Sequence, residues 1–357
     1  ECDLSDHGIA AGARRWLTRL EHGHAWARET WLRMRDVSLA EFARVYDLLG
    51  VTFAGGTGEA AYADARPLED LATASDGAAV VDLSDVGLPP LMLRKTDGAT
   101  TYALRDLAAA IDREDRFEPD LSLYVVAHEQ GLHFRQVFAA LEKAGRPGRR
   151  EHVSFGLVRV SGRKAGSRSG NAALLADVLE EATAAVAERM GRGDVAEQVG
   201  VGAVVFASLC RHRHKDVDFD LAQLLSLDGD SGPYVQYAHA RAASALRKGG
   251  AAASGLGVPA HVVLDDRERT LAKRLVRFDD AVERAAAERE PYHVANAVLE
   301  IAAALARWWA AGTADPSKRI LCEDVDTRRS RLALCAAAKR TLADGLYLLG
   351  VAAPEEM

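Results

Sequence analysis

Leu121-Ser-Leu-Tyr-Val-Val-Ala127 is an apolar run of strand length, His133 to Ala144 has the three- and four-residue apolar spacing of a helix stopped by Gly145, and His152 to Val160 is apolar again. Strand, helix and strand with a crossover of this length predict a parallel βαβ unit, half of a doubly wound sheet. Ligands collect at the carboxyl ends of such strands, here Ala127 to Gln130 and Val160 to Lys164.

Outward from this unit the period changes twice. Between Gly50 and Leu93, glycines and the Pro89-Pro90 pair separate short apolar runs such as Ala78 to Leu83 and Leu91 to Leu93, which read as short strands and turns. From Ile9 to Leu49 an apolar stripe (Trp16, Leu17, Leu20, Trp26, Trp31, Met34, Leu39, Phe42, Val45, Tyr46, Leu49) predicts about three amphipathic helices. Gly23 and a capping box of Ser38 and Glu41 divide them, and their stripe is expected to be core. From Ala172 the spacing is helical almost throughout: Leu174 to Met190, Gln198 to Leu209, Val235 to Arg247, Asp265 to Arg289, His293 to Ala311 and Arg328 to Leu349. The expected fold is therefore α/β followed by all-α.

The 357 residues suffice for two or three domains, and 48% hydrophobic against 27% charged residues is a globular balance. No uncharged apolar run approaches the roughly 18 residues of a membrane helix, so no membrane partner is expected. Forty-five Lys and Arg against 52 Asp and Glu give a net charge of -7, which excludes a uniformly basic coat and confines nucleic-acid contact to patches. One such patch runs from Lys143 to Arg168, with eight Lys or Arg against one acidic residue. Cys2, Cys210, Cys322 and Cys335 show no CxxC pairing, so neither a metal site nor a disulfide scaffold is expected, and a cytoplasmic location fits. The chain opens on Glu1 without an initiator Met, which suggests either removal of a segment by processing or a start inside a longer gene.

Thr96-Asp-Gly-Ala-Thr-Thr-Tyr-Ala-Leu-Arg-Asp-Leu-Ala108 runs from an Asp-Gly turn into a helix that carries Tyr102 and Asp106 four residues apart. A phenol and a carboxylate on one face can receive a planar cation, or form an ordinary surface pair. This segment, with Gln130-Gly-Leu-His133-Phe134 about twenty residues later, resembles the catalytic domain of arginyl-tRNA synthetases. The resemblance runs from about Ala13 to Met357. Its other carriers are Gly58-Glu59 and the stretch before it, Val199 to Phe206, Pro233-Tyr-Val-Gln-Tyr-Ala-His-Ala-Arg241 and the ending from Leu348.

The resemblance implies the second half of a class I synthetase Rossmann-like nucleotide-binding domain followed by a helical-bundle anticodon-binding domain. Its parts would be a helical insertion over 1–60, the catalytic half over 61–175 with a signature loop at 161–171, a stem-contact region over 176–230 and the anticodon-binding bundle over 231–357. It implies that Tyr102, Asp106 and Gln130 line the arginine pocket, where a guanidinium that never deprotonates meets a carboxylate and polar acceptors. The plainer alternative for Gln130 is to cap backbone groups at the strand end. His133, one helical turn on, faces ATP or packs. Lys164-Ala-Gly-Ser-Arg-Ser-Gly-Asn171 aligns with the family's KMSTRKGN loop, so that Lys164, Ser167 and Arg168 would stabilise charge on the ATP phosphates, with Gly170 against the nucleotide. Ala165, Gly166 and Ser169 depart from the pattern, and the loop has one cation fewer. The class I His-x-Gly-His signature is missing, and Glu21-His22-Gly23-His24 is not a substitute because no strand precedes it.

In the helical half, Tyr234, Gln236, Tyr237, Arg241 and Met357 would contact tRNA. Tyr237 and Arg241 share a face suited to stacking on unpaired bases, although Tyr237 at that spacing is as readily core. Arg211-His-Arg-His-Lys215 binds phosphate or simply favours a helix end by its charge. The implied activity is ATP-dependent attachment of arginine to its tRNA through an arginyl-adenylate, with Mg2+ accompanying ATP. The completed protein would be a monomer. The rival reading is a non-catalytic adaptor that keeps the arginine and tRNA sites, and a third is an arginine-handling enzyme that has abandoned tRNA.

Overall fold

The computed structural model describes residues 7–62, 65, 67–96, 100–160, 163–164, 174–190, 193–250 and 261–357. Two compact units divide the chain, Glu1–Ala43 with Thr52–Phe155, and Arg44–Val51 with Gly156–Met357.

In the first unit, α1 (His7–Glu21) and α2 (Ala25–Leu49) are joined at Gly23, whose φ of 73° suits a residue without Cβ. Two helices replace the expected three. Ser38 is no cap: it lies inside α2, and its hydroxyl donates to the Met34 carbonyl at 3.0 Å. Nor is the stripe core. Trp16, Leu17, Trp26, Met34, Leu39, Phe42 and Tyr46 are exposed, and Ala27 is the buried residue of α2. Periodicity reports which face of a helix is apolar, but whether the same chain covers that face is a tertiary matter. Val45 and Leu49, at the end of α2, pack within the second unit.

Next comes an antiparallel sheet of β1 (Thr73–Ser75), β2 (Ala78–Val81) and β3 (Leu91–Arg94). Its first turn is Asp76-Gly77, both at positive φ, the two-residue turn whose twist matches its strands. α3 (Tyr102–Phe117) and α4 (Gly131–Lys143) bury Leu104, Leu107, Val137 and Leu141 in one core with Val81, Leu91 and Leu93 of the sheet. The expected βαβ unit is present: β4 (Ser122–Ala127) pairs in parallel with β5 (Arg150–Phe155) across α4, in register from Ser122↔Arg150 to Ala127↔Phe155.

The run expected as one strand to Val160 breaks at Gly156. There the Gly156 N–H donates to the Arg213 carbonyl at 2.7 Å, and a Cβ at this position would meet Lys215 O at 2.5 Å. The chain continues in the second unit as β6 (Val158–Val160), which forms a hairpin with β7 (Arg163–Lys164) and pairs in parallel with β8 (Val217–Phe219). β8 corrects the all-helical expectation for this half. Three residues are too few to show an alternation in sequence, and the partner strand lies far back along the chain.

α5 (Leu175–Met190) and α6 (Gly193–Leu209) pack so closely that a Cβ on Gly200 would come within 2.7 Å of the Thr183 backbone. After the short α7 (Leu221–Leu224) comes a bundle of α8 (Gly232–Gly249), α9 (Asp266–Val276), α10 (Phe278–Glu288), α11 (Tyr292–Ala314) and α12 (Val325–Leu348). The single helix expected over Asp265 to Arg289 is two, broken at Arg277, so that Phe278 turns into the core while Val276 stays exposed. α11 is long and apolar enough to cross a membrane by length and composition, yet half of that stretch is buried. Its Val298, Ile301, Leu305 and Trp308 form the centre of the bundle.

Candidate active site and tRNA-binding face

The first site is assembled by α3 and α4. Thr101 starts α3 in extended geometry, and its hydroxyl donates to the Met92 carbonyl at 2.6 Å, which ties the helix start to β3. From that anchored turn Tyr102 and Asp106 project on the side away from Leu104 and Leu107, which are buried in the core. The other wall comes from the carboxyl end of β4, where the turn His128–Gln130 leads into α4 and His133. His133 Nε2 lies 2.7 Å from Asp106 Oδ2, and its ring centroid is 4.6 Å from that of Tyr102. Phe134 meets His133 edge-on at 5.1 Å.

Tyr102 and Asp106 therefore converge on a common companion, His133. Gln130 stands exposed on the turn and, among the described residues, makes no hydrogen bond to either. His133 is buried, with its Nε2 engaged by a carboxylate. The spacing of Tyr102 and Asp106 was local enough to see in the sequence. The His133 contact spans 27 positions and needs α3 packed on α4.

Of the signature loop, Lys164 pairs through its backbone with Arg159 at the end of the β6–β7 hairpin. Ser167, Arg168, Gly170 and Asn171 lie outside the described residues, as do Asp97 and Gly98. The basic stretch before the loop is less free than its charge count suggests. Arg150, its side chain only 2% exposed, donates to Glu114 at 2.6 Å, and Arg146, Lys143 and Arg159 pair with Asp115, Asp85 and Asp216. These acids come from distant parts of the sequence, so the run of basic residues concealed its own neutralisation.

The Arg211–Lys215 segment follows α6. Buried Glu290 accepts from the Arg213 N–H at 3.0 Å and lies 3.5 Å from His212 Nδ1, which fixes the segment beside the start of α11. That anchoring acid, 77 positions away, had no local signal.

The second site lies on α8. Ser231 caps the helix by accepting from the Tyr234 N–H, and Pro233 occupies its first turn. Tyr234 is half-buried against the bundle core, and burial raises its phenol above the ordinary value. Gln236 is not available to tRNA: it is fully buried, and its amide donates to the carbonyls of Gln198 and Ala352 at 3.1 and 2.9 Å. A polar residue in an otherwise apolar turn reads as exposed, but here it serves the backbone of α6 and the carboxyl-terminal tail. His239, unnoticed in the sequence, is also buried and holds that tail through Nδ1 to the Pro354 carbonyl at 2.9 Å. Met357 is half-buried against the cluster formed by α5 and α6.

Tyr237 and Arg241 do form a pair, extended by a residue the sequence reading missed. The Arg241 guanidinium lies over the rings of Tyr237 and Trp309, at 5.1 and 4.5 Å from their centroids. Trp309 also borders a cavity of about 300 Å³ with Lys248, Lys318 and Arg319.

A parallel strand pair with a carboxylate, an imidazole and a phenol near its carboxyl end thus precedes a helical bundle. The family model described as tRNA synthetases class I (R), catalytic domain, matches residues 3–221, and that of the DALR anticodon binding domain matches residues 235–357. The chain belongs to the arginyl-tRNA synthetase family. The arginine–tRNA ligase of Exiguobacterium sibiricum is 40% identical over 367 residues, covering 98% of this chain and 64% of that protein. The chain thus spans less than two thirds of that relative's length. The arginyl-tRNA synthetase structure from Thermus thermophilus aligns with a TM-score of 0.69 at 33% identity, over 82% of this chain and 55% of that one. That from Plasmodium falciparum shares the fold, with a TM-score of 0.77 at 20% identity over 99% of this chain and 64% of that one.

Proposed function

We propose that the protein to which this chain belongs is an arginine–tRNA ligase. Arginine's carboxylate attacks the α-phosphorus of ATP, supplied with Mg2+, and pyrophosphate leaves. A ribose hydroxyl of arginine tRNA then attacks the adenylate carbonyl and releases AMP. No side-chain nucleophile is needed, so the protein contributes positioning and electrostatics. The observation that carries the reading is the carboxylate of Asp106 and the ring of Tyr102 converging on His133 beside the carboxyl end of β4, in a chain of the arginyl family.

In this reading Asp106 and Tyr102 receive the guanidinium, and Gln130, at the edge of the same turn, closes over it. Lys164, Ser167 and Arg168, with Gly170, serve the ATP phosphates, and Tyr237, Arg241 and the half-buried Tyr234 and Met357 face the anticodon. Free thiols at Cys210, Cys322 and Cys335 support a cytoplasmic setting.

Arginine-dependent exchange of pyrophosphate into ATP, measured with tRNA present, tests the proposal. With no His-x-Gly-His in its sequence, the 357-residue chain is expected to be silent alone and active when supplemented with the amino-terminal third of a relative. Exchange driven by a different amino acid, or no arginine binding by calorimetry, would overturn the assignment.

A further inference from the structure

We propose that His133 is a positioning residue that orients Asp106 for a guanidinium and so sets the preference for arginine over lysine. The inference rests on the arginine-pocket reading above and deepens it. An ionised carboxylate has only acceptor sites, so in the 2.7 Å contact the His133 Nε2–H donates to Asp106 Oδ2. The imidazole is held in place. It is 8% exposed, its ring lies against Tyr102, and Phe134 abuts its edge while packing against His152 at 5.2 Å. The Asp106 side chain is one third exposed, and Tyr102 is exposed, so a ligand can approach both from solvent.

The terminal torsion of a free aspartate is broad. Fixing one oxygen fixes the carboxylate plane, and each oxygen has a further lone pair, so Oδ2 accepts from His133 and still faces the ligand. A guanidinium makes its two parallel hydrogen bonds only when it is coplanar with both oxygens, whereas an ammonium is satisfied by either oxygen in any plane. A carboxylate released to rotate therefore loses much of its hold on arginine and little of its hold on lysine.

Two substitutions separate donation from packing. His133→Phe keeps a ring between Tyr102 and Phe134 and removes the donor; His133→Gln gives up the ring and retains an N–H of similar reach. Calorimetric titration of the 357-residue chain with arginine, repeated with lysine as competitor, is expected to show His133→Phe binding arginine roughly tenfold more weakly, as for a lost hydrogen bond to a charged group, with lysine changed by less than about twofold. His133→Gln should recover most of the arginine affinity, and in an Asp106→Ala background neither substitution should matter. If His133→Phe binds arginine normally while His133→Gln does not, or if both amino acids weaken alike, His133 is a packing residue and the inference is wrong. If Asp106→Ala binds arginine as well as the unaltered chain, or the unaltered chain binds none, the pocket reading itself fails.

Discussion

His239 and Arg331 are polar residues that the bundle has buried, and each makes its stability answerable to one group. The His239 imidazole donates to the Pro354 carbonyl, and burial pushes its pKa below the ordinary 6.5. Well above pH 6.5 it is neutral in both folded and unfolded chains and contributes no pH dependence. As pH falls below that value the unfolded chain takes up a proton that the folded chain refuses, so stability declines until the lower folded pKa is passed. Urea midpoints at about pH 7.5 and 5.5 should therefore differ more for the unaltered chain than for His239→Asn, whose amide can keep the hydrogen bond without titrating. Arg331 donates to Glu268 at 2.6 Å and to the carbonyls of Ser317 and Arg319, with both side chains under 10% exposed. Arg331→Met leaves a buried carboxylate without its partner and should cost about 3 to 5 kcal/mol in urea unfolding, with part recovered by adding Glu268→Gln. Cys335, whose thiol burial pushes up to about 12, stays unreactive in the folded bundle.

Helix starts show how an element selects among residues of one type. Ser38 and Ser231 are both serines ahead of helical periodicity, but only Ser231 has extended backbone and accepts from an N–H of the first turn. Ser38 lies within α2, where its hydroxyl back-bonds to Met34 and competes weakly with the helix. Ser231→Ala should destabilise the bundle by about 1 kcal/mol, the worth of an N-cap, whereas Ser38→Ala should fall within about 0.5 kcal/mol of zero or stabilise slightly. Amide hydrogen exchange in α8 and α2 reads the two separately. Equal losses at the two positions would restore the capping box to Ser38 and Glu41.

Over the whole molecule, a net charge of -7 means that the proposed tRNA binding has to rest on particular surfaces. Several cations of the Lys143–Arg168 stretch are committed to carboxylates, while the Arg241 guanidinium lies over two aromatic rings on the bundle. Binding of arginine tRNA to the 357-residue chain should weaken as salt rises, and Arg241→Ala should lower affinity about tenfold with reduced preference for arginine tRNA over another tRNA. Gln236→Ala should instead lower the melting temperature and leave that preference intact, because its amide serves the Gln198 and Ala352 carbonyls. Filter binding across a salt series and a thermal melt distinguish the two outcomes.

Sequence by itself determined what is local. The parallel unit was legible because Leu121–Ala127, the helix to Lys143 and the run after Arg150 each carry a complete apolar period between turn residues. Tyr102 and Asp106 were legible because one helical turn separates them, and the family showed in motifs that stay contiguous in the chain. Tertiary structure alone decided the contacts made between distant positions: His133 on Asp106, Glu290 beside Arg213, Arg241 over Trp309, and β8 beside β6. It also decided burial, leaving Trp16, Trp26 and Phe42 exposed on a helical stripe while taking in Gln236 and His239. The physical reason is that periodicity and spacing describe one element's faces, whereas burial, pairing and neutralisation of charge depend on which other element, often many positions away, is packed against them.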